Sequence, residues 1–186
     1  MLPNAAAVLV LSALFLSGCT YPVRTSQMTT SLEDVKTSNL TTPLRSNVLV
    51  SNVSGGKTQD PLGATTITNT KFQQALMHSL DKSGLWAKKG KAAFELNAAI
   101  LSVDIPYVAI DFTATVIVRY RLKHLVDGEI FFDQKIVSSH TKKGSETFMG
   151  AERFQGALEG AVFENIAELI NRLYALDLPQ SKSAND

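Results

Sequence analysis

Apolar and polar positions along this chain repeat at two periods, and the two periods divide it into strands and helices. Phe112, Ala114, Val116, Val118, Tyr120 and Leu122 alternate with Thr113, Thr115, Ile117, Arg119, Arg121 and Lys123. Period two sends neighbouring side chains to opposite faces, so this run predicts a strand with one buried face and one wet face. Phe94, Leu96, Ala98 and Ile100 alternate in the same way across 93–105, and Pro106 closes the run. A further strand is predicted over 129–140, joined to its predecessor by Asp127-Gly128, a dipeptide suited to a tight hairpin. The short β-rich run over 47–53 predicts a first strand, which Ser54-Gly55-Gly56-Lys57 breaks. A polar loop then runs to about Thr66.

Two segments carry the helical period instead. Over 69–83, Phe72, Leu76 and Leu80 recur at steps of four, with Ala75 widening the stripe. Thr68, Asn69 and Thr70 are all able to cap its start, and Gly84 stops it. Over 151–176, Phe154, Leu158, Val162, Ile166, Leu169, Leu173 and Leu176 recur at steps of three and four. Glu152, Arg153, Glu159, Glu164, Glu168 and Arg172 fall off that stripe, which predicts an amphipathic helix lying across a sheet.

The predicted order is strand, helix, three strands, helix. It implies an α+β fold: a small two-layer sandwich, with a mainly antiparallel four-stranded sheet and two helices on one face. The first two strands, separated by a helix, are able to pair in parallel through a crossover. Residues 47–178 are of the size of one domain, large enough to bury its own core.

The first 46 residues follow neither period. Ala5 to Leu16 is a dozen almost wholly apolar positions, the length of a signal-peptide core and too short to span a bilayer. It ends at Leu16-Ser17-Gly18-Cys19, and Cys19 is the single cysteine among 186 residues. These four residues resemble a bacterial lipobox, although no Lys or Arg precedes the apolar core. The resemblance implies cleavage between Gly18 and Cys19, acylation of Cys19 by three chains, and a mature protein held to a membrane. Thr20 stands where an Asp would retain such a protein in the inner membrane, so the resemblance implies the outer membrane, facing the periplasm. From 19 to 46 the chain is rich in Ser and Thr and predicts a tether, with an r.m.s. reach of ~30 Å if flexible. A short helix over 32–35 is compatible with the residues but is not assigned, and the whole segment is read as tether. Residues 179–186 form a polar tail.

Composition narrows the chemistry. The net charge is +1 with both signs interleaved, which gives no electrostatic case for nucleic acid. With Cys19 assigned to lipid, no disulfide and no cysteine nucleophile are expected. His78, His124 and His140 lie far apart without metal-ligand spacing, so no metal is expected. Gly55-Gly56-Lys57-Thr58 lacks the earlier glycine of a phosphate loop, whose place Ser51 holds, and no helix follows it directly. No nucleophile elbow and no cofactor motif occurs. Asp104 and Asp111 flank Pro106 and are the one carboxylate pair to weigh for catalysis; solvated strand ends are the expected role. Arg119, Arg121 and Lys123 form a basic ladder on the wet face of their strand, partly answered by Asp133. An ordinary solvated face with cross-strand charge pairs is the plain reading, and a candidate partner face for an acidic partner or for lipid phosphates is the functional one.

Two groups of envelope proteins are similar in pattern. The stretch from Phe94-Glu-Leu-Asn-Ala-Ala-Ile through Arg119-Tyr-Arg to Gly160-Ala-Val-Phe-Glu-Asn-Ile-Ala-Glu-Leu-Ile resembles YajG-type outer-membrane lipoproteins. Val48-Leu-Val-Ser-Asn-Val and Leu80-Asp-Lys-Ser-Gly-Leu more distantly resemble LpoB-like envelope lipoproteins. Both resemblances are of fold; the lipobox, the tether, the compact domain and the lack of an assembled catalytic set predict a non-enzymatic, lipid-anchored protein, without cofactor, that binds an envelope protein or helps assemble a complex. The alternative is an accessory role in handling lipid or lipopolysaccharide, in an apolar cleft between sheet and helix.

Overall fold

A computed structural model describes residues 22–36, 41–57, 66–88, 90–106 and 108–178. The leader over 1–18, the acylation site Cys19 and the polar tail over 179–186 lie outside the described residues.

The predicted order holds. Strand β1 (Val48–Ser54) is followed by helix α1 (Asn69–Lys82), strands β2 (Phe94–Asp104), β3 (Phe112–His124) and β4 (Ile130–Lys142), and helix α2 (Gly150–Tyr174). The strands lie in the order β1-β2-β3-β4 in one sheet. The pairs β2–β3 and β3–β4 are antiparallel, whereas β1 pairs with β2 in parallel, so the sheet is mixed. The parallel pair follows from connectivity: a strand that returns after a crossover helix runs in its original direction.

Local chemistry sets the element ends. The Thr68 hydroxyl accepts from the backbone N–H of Lys71 at 3.2 Å and so caps α1. At the other end, Gly84 adopts φ +72°, a left-handed turn that lets Leu85 donate back to the Leu80 carbonyl at 2.8 Å. Gly128 (φ +76°) turns the β3–β4 hairpin, where the Asp127 carboxylate accepts from the Glu129 N–H and from His124 Nδ1.

Both helices cover the same sheet face, α1 over β1 and α2 over β3 and β4. Phe72, Leu76, Tyr120, Leu158 and Ile166 lie between the layers without solvent exposure. Each such side chain contributes about 1.5–3 kcal/mol on burial. One polar network sits within this core. Asn165, wholly buried on α2, accepts from the Tyr120 hydroxyl at 2.9 Å. Its amide donates to the Ile136 carbonyl at 3.0 Å and the Ser138 hydroxyl at 2.9 Å. This network pins α2 to both β3 and β4.

The expected tether over 19–46 needs correction wherever its residues are described. Residues 22–36 form a strap laid along the helices, with 3₁₀ turns at Thr25–Gln27 and Leu32–Asp34. Met28 and Leu44 are wholly buried, and Val23 and Val35 nearly so, which places all four in the main core. A second correction concerns Glu159. It does not face water but is buried against the strap. An apolar anchor every five to nine residues suffices to hold a strap down, because the neighbouring polar side chains find partners on the helices.

Candidate functional site

The face of the sheet opposite the helices is uncovered among the described residues and carries the predicted basic ladder. Arg119 and Arg121 both reach across to Asp133 on β4. Arg119 donates through Nε at 2.6 Å and Nη2 at 2.9 Å, one bond to each carboxylate oxygen. Arg121 donates to Oδ2 through Nε at 3.0 Å and Nη2 at 2.9 Å. Hydrogen bonds from Arg119 and then Arg121 hold the Asp133 carboxyl down to about 2, below its usual 3.8. Lys123 pairs with Glu95 on β2 at 2.7 Å. The pairing follows from register, since Arg121 stands opposite Asp133 and Lys123 opposite Glu95.

Neutralisation is incomplete. Arg119 stands directly opposite Lys135, so the patch holds four cations (Arg119, Arg121, Lys123, Lys135) against two carboxylates (Asp133, Glu95). The one carboxylate of Asp133, shared by both arginines, also fixes the two guanidinium groups in place, which lowers the side-chain entropy lost when a partner engages them. Val137 and Ile130 add exposed apolar surface on the same face. Towards the far end of the strands the face turns neutral, with Thr115 bonded to Ser139 and Thr113 to Thr141 at 2.8 Å each.

A second feature was not visible in the sequence. A cleft of about 880 Å³ opens between the strap, the end of β4 and the first half of α2, lined by Pro22, Arg24, His140, Lys142, Glu146 and Glu159 among others. Gly160 shapes it: a Cβ there would stand 2.2 Å from Cδ2 of His140, so only glycine lets that ring lie across the helix. Most of the charges lining the cleft are paired, and Glu152 instead accepts from the Thr147 hydroxyl at 2.6 Å. Arg24 bonds Glu159, His140 Nδ1 lies 2.8 Å from a Glu164 oxygen, and Lys142 bonds Glu146.

The remaining sequence candidates are dispersed. Asp111 accepts from the Gly144 N–H at 2.8 Å and thereby ties two loops together, while Asp104 is exposed at the end of β2. His124 belongs to the hairpin, His140 to the cleft, and His78 lies exposed on α1. Among the described residues no group of three His, Cys, Asp or Glu is placed to hold a metal ion. Gly55 and Gly56 form no phosphate loop. Instead Gly55 (φ +82°) presses on the Ile100 carbonyl, and the Gly56 N–H donates to the Asn69 side chain at 2.7 Å.

No family model and no curated protein matches this chain. Solved structures do. Protein XCC0632 from Xanthomonas campestris, of family DUF330, aligns at a TM-score of 0.54 and 12% identity, over 69% of this chain and 84% of its own. The hypothetical protein CT253 from Chlamydia trachomatis aligns at 0.50 and 14%, over 70% and 96%. A minor lipoprotein from Acinetobacter baumannii aligns at 0.46 and 12%, over 74% and 100%. At such identities the likeness to the first two establishes a shared fold, and fold alone does not transfer a function.

Proposed function

We propose that this chain is a non-enzymatic, lipid-anchored envelope protein whose open sheet face docks an acidic region of another envelope protein. The observation that carries the reading is the uncovered face itself. Arg119, Arg121 and Lys123 are held by Asp133 and Glu95 in a fixed array, and with Lys135 the face carries two cations in excess. Such a patch steers an acidic partner and fixes its register. The Leu16-Ser17-Gly18-Cys19 sequence supports the anchor, with the outer membrane as its destination from Thr20. Three acyl chains on Cys19 would hold the protein stably where one would not. No described helix is long and apolar enough to cross a membrane.

The competing role in lipid handling needs an apolar chamber between sheet and helices. Among the described residues that space is filled by Phe72, Leu76, Tyr120, Leu158 and Ile166.

The test is interference in trans. The chain carrying Cys19→Ala, exported behind an ordinary cleavable leader, should compete with the anchored protein for its partner and impair the envelope when overproduced. The same soluble chain with Arg119→Glu and Arg121→Glu should not. Equal interference by both forms would refute the docking face.

A further inference from the structure

One end of the molecule carries exposed apolar side chains on two loops that touch. Val108 and Ile110 lie on the β2–β3 loop, and Phe148 and Met149 lie just before α2. Phe148 is 98% exposed and Val108 93%. The loops are tied together by the bond from the Gly144 N–H to Asp111, and Gly144 sits so close that a Cβ on it would stand 2.9 Å from a methyl of Ile110. Arg153 braces the second loop by donating to the carbonyls of Thr147 at 2.7 Å and Phe148 at 3.0 Å. Large apolar side chains presented this fully at a braced tip mark a contact surface.

The path of the strap says what covers it. The Lys36 N–H donates to Asn171, Arg24 bonds Glu159, and the Pro22 carbonyl accepts from Gln155 at 3.0 Å. Read backwards, the chain therefore travels along α2 towards the N-terminal end of that helix. Between Asn171 and Gln155 it covers about 24 Å of helix. From Gln155 to the first residue of α2 is about 8 Å. Cys19 lies three residues before Pro22, a span of at most about 10 Å. Pro22 and Thr147 already line one cleft, and Phe148 follows Thr147 directly.

We infer that Phe148, Met149, Val108 and Ile110 form a second membrane contact, seated in the lipid interface beside the acylated Cys19. The inference rests on the lipid anchor proposed above. With so short a leash the domain is not suspended away from the bilayer; it stands on this tip. The tip adds apolar area to the anchor and sets orientation, with the strands rising from the membrane and the β3–β4 hairpin at the far end. Insertion of a few apolar side chains into an interface needs no spanning segment.

The test uses the full, acylated protein in vesicles of phosphatidylethanolamine and phosphatidylglycerol with brominated acyl chains. In a Trp86→Phe background, Phe148→Trp provides one probe and Val126→Trp the other. Val126, 87% exposed, is an apolar residue on the far hairpin. Both probe positions are solvent-exposed; Trp86 packs against the core, so a thermal melt first shows that the Trp86→Phe background is folded. Quenching of the probe at 148, without quenching at 126, is the expected result. Vesicle-bound protein with neither probe quenched, or with both quenched alike, overturns the tip while leaving the anchor intact. A blue-shifted but unquenched probe at 148, with crosslinked pairs of chains, shows that a second copy covers the tip and also overturns it. Failure of the protein to partition into vesicles at all refutes the anchor and the tip together.

Discussion

Glu159 and Arg24, 135 positions apart in sequence, form an ion pair at 2.9 Å in which the carboxylate is 3% exposed and the guanidinium 61%. The same carboxylate accepts from the backbone N–H of Arg24 at 2.6 Å and from the Gln155 amide at 2.7 Å. It thus clasps the strap by its backbone as well as its side chain. Hydrogen bonding to Glu159 raises the Arg24 guanidinium above its usual value. Arg24→Ala should cost about 1 kcal/mol, because the pair is half wet and the backbone bond survives. Glu159→Ala should cost about 2 kcal/mol, because it removes every bond of the clasp. Hydrogen exchange at the Arg24 amide separates the two: it accelerates in Glu159→Ala and stays slow in Arg24→Ala.

The Asn165 network should be costly to break from either side. Tyr120→Phe leaves a buried amide oxygen without its donor, a loss of about 1–3 kcal/mol in chemical denaturation. Asn165→Ala should cost at least as much, since it also strips the Ile136 carbonyl and Ser138 hydroxyl of a donor. Burial pushes the Tyr120 phenol well above 10. A raised folded value means that its contribution is complete below the unfolded value and is lost at more alkaline pH. Wild type should therefore lose stability above about pH 10 more steeply than Tyr120→Phe.

Gly160 should tolerate alanine only when His140 is gone. In the wild-type background a Cβ at 160 meets the imidazole ring, which must swing off Glu164. Overpacking of this kind costs about 1–3 kcal/mol, against about 1 kcal/mol gained from helix propensity. In a His140→Ala background the clash disappears and the substitution should become stabilising. Thermal melts of the four proteins in this cycle check the prediction.

Part of the acid sensitivity should map to the open face. A depressed folded value for Asp133, near 2, gives stability that is present above its unfolded value and lost as pH falls. The window runs from about pH 4 down to about pH 2. Asp133→Asn should flatten the pH dependence there, and should leave Arg119 and Arg121 facing each other without their shared carboxylate.

The alternation of β2 and β3 and the helical stripe of α2 were legible because each burial pattern repeats within its own segment. The strap was not, for a physical reason. Val23, Met28, Val35 and Leu44 have no common period, and the bonds that hold the strap to the helices go to residues far along the chain. Thr30 binds Ser79, and Lys36 binds Asn171. A Ser/Thr-rich segment of this kind carries the composition of a free tether while its partners lie elsewhere. The same distance hid the burial of Glu159. The available signal was Gly156 and Gly160 on either side of it, which thin the helix where other elements press close: Gly156 against Lys142 and Gly160 against His140. The basic ladder was legible in position, and the carboxylates that fix it follow from cross-strand register.

The most direct test of the docking face is site-specific photo-crosslinking in living cells from Val137, which is exposed on the open sheet face and takes no part in the charge pairs. A matched probe at Glu168, on α2 and so on the other side of the sheet, serves as control. A single abundant adduct from position 137, absent from 168 and abolished by Arg119→Glu with Arg121→Glu, is the predicted result. No adduct from 137, or the same adduct from both faces regardless of the arginines, would contradict the account.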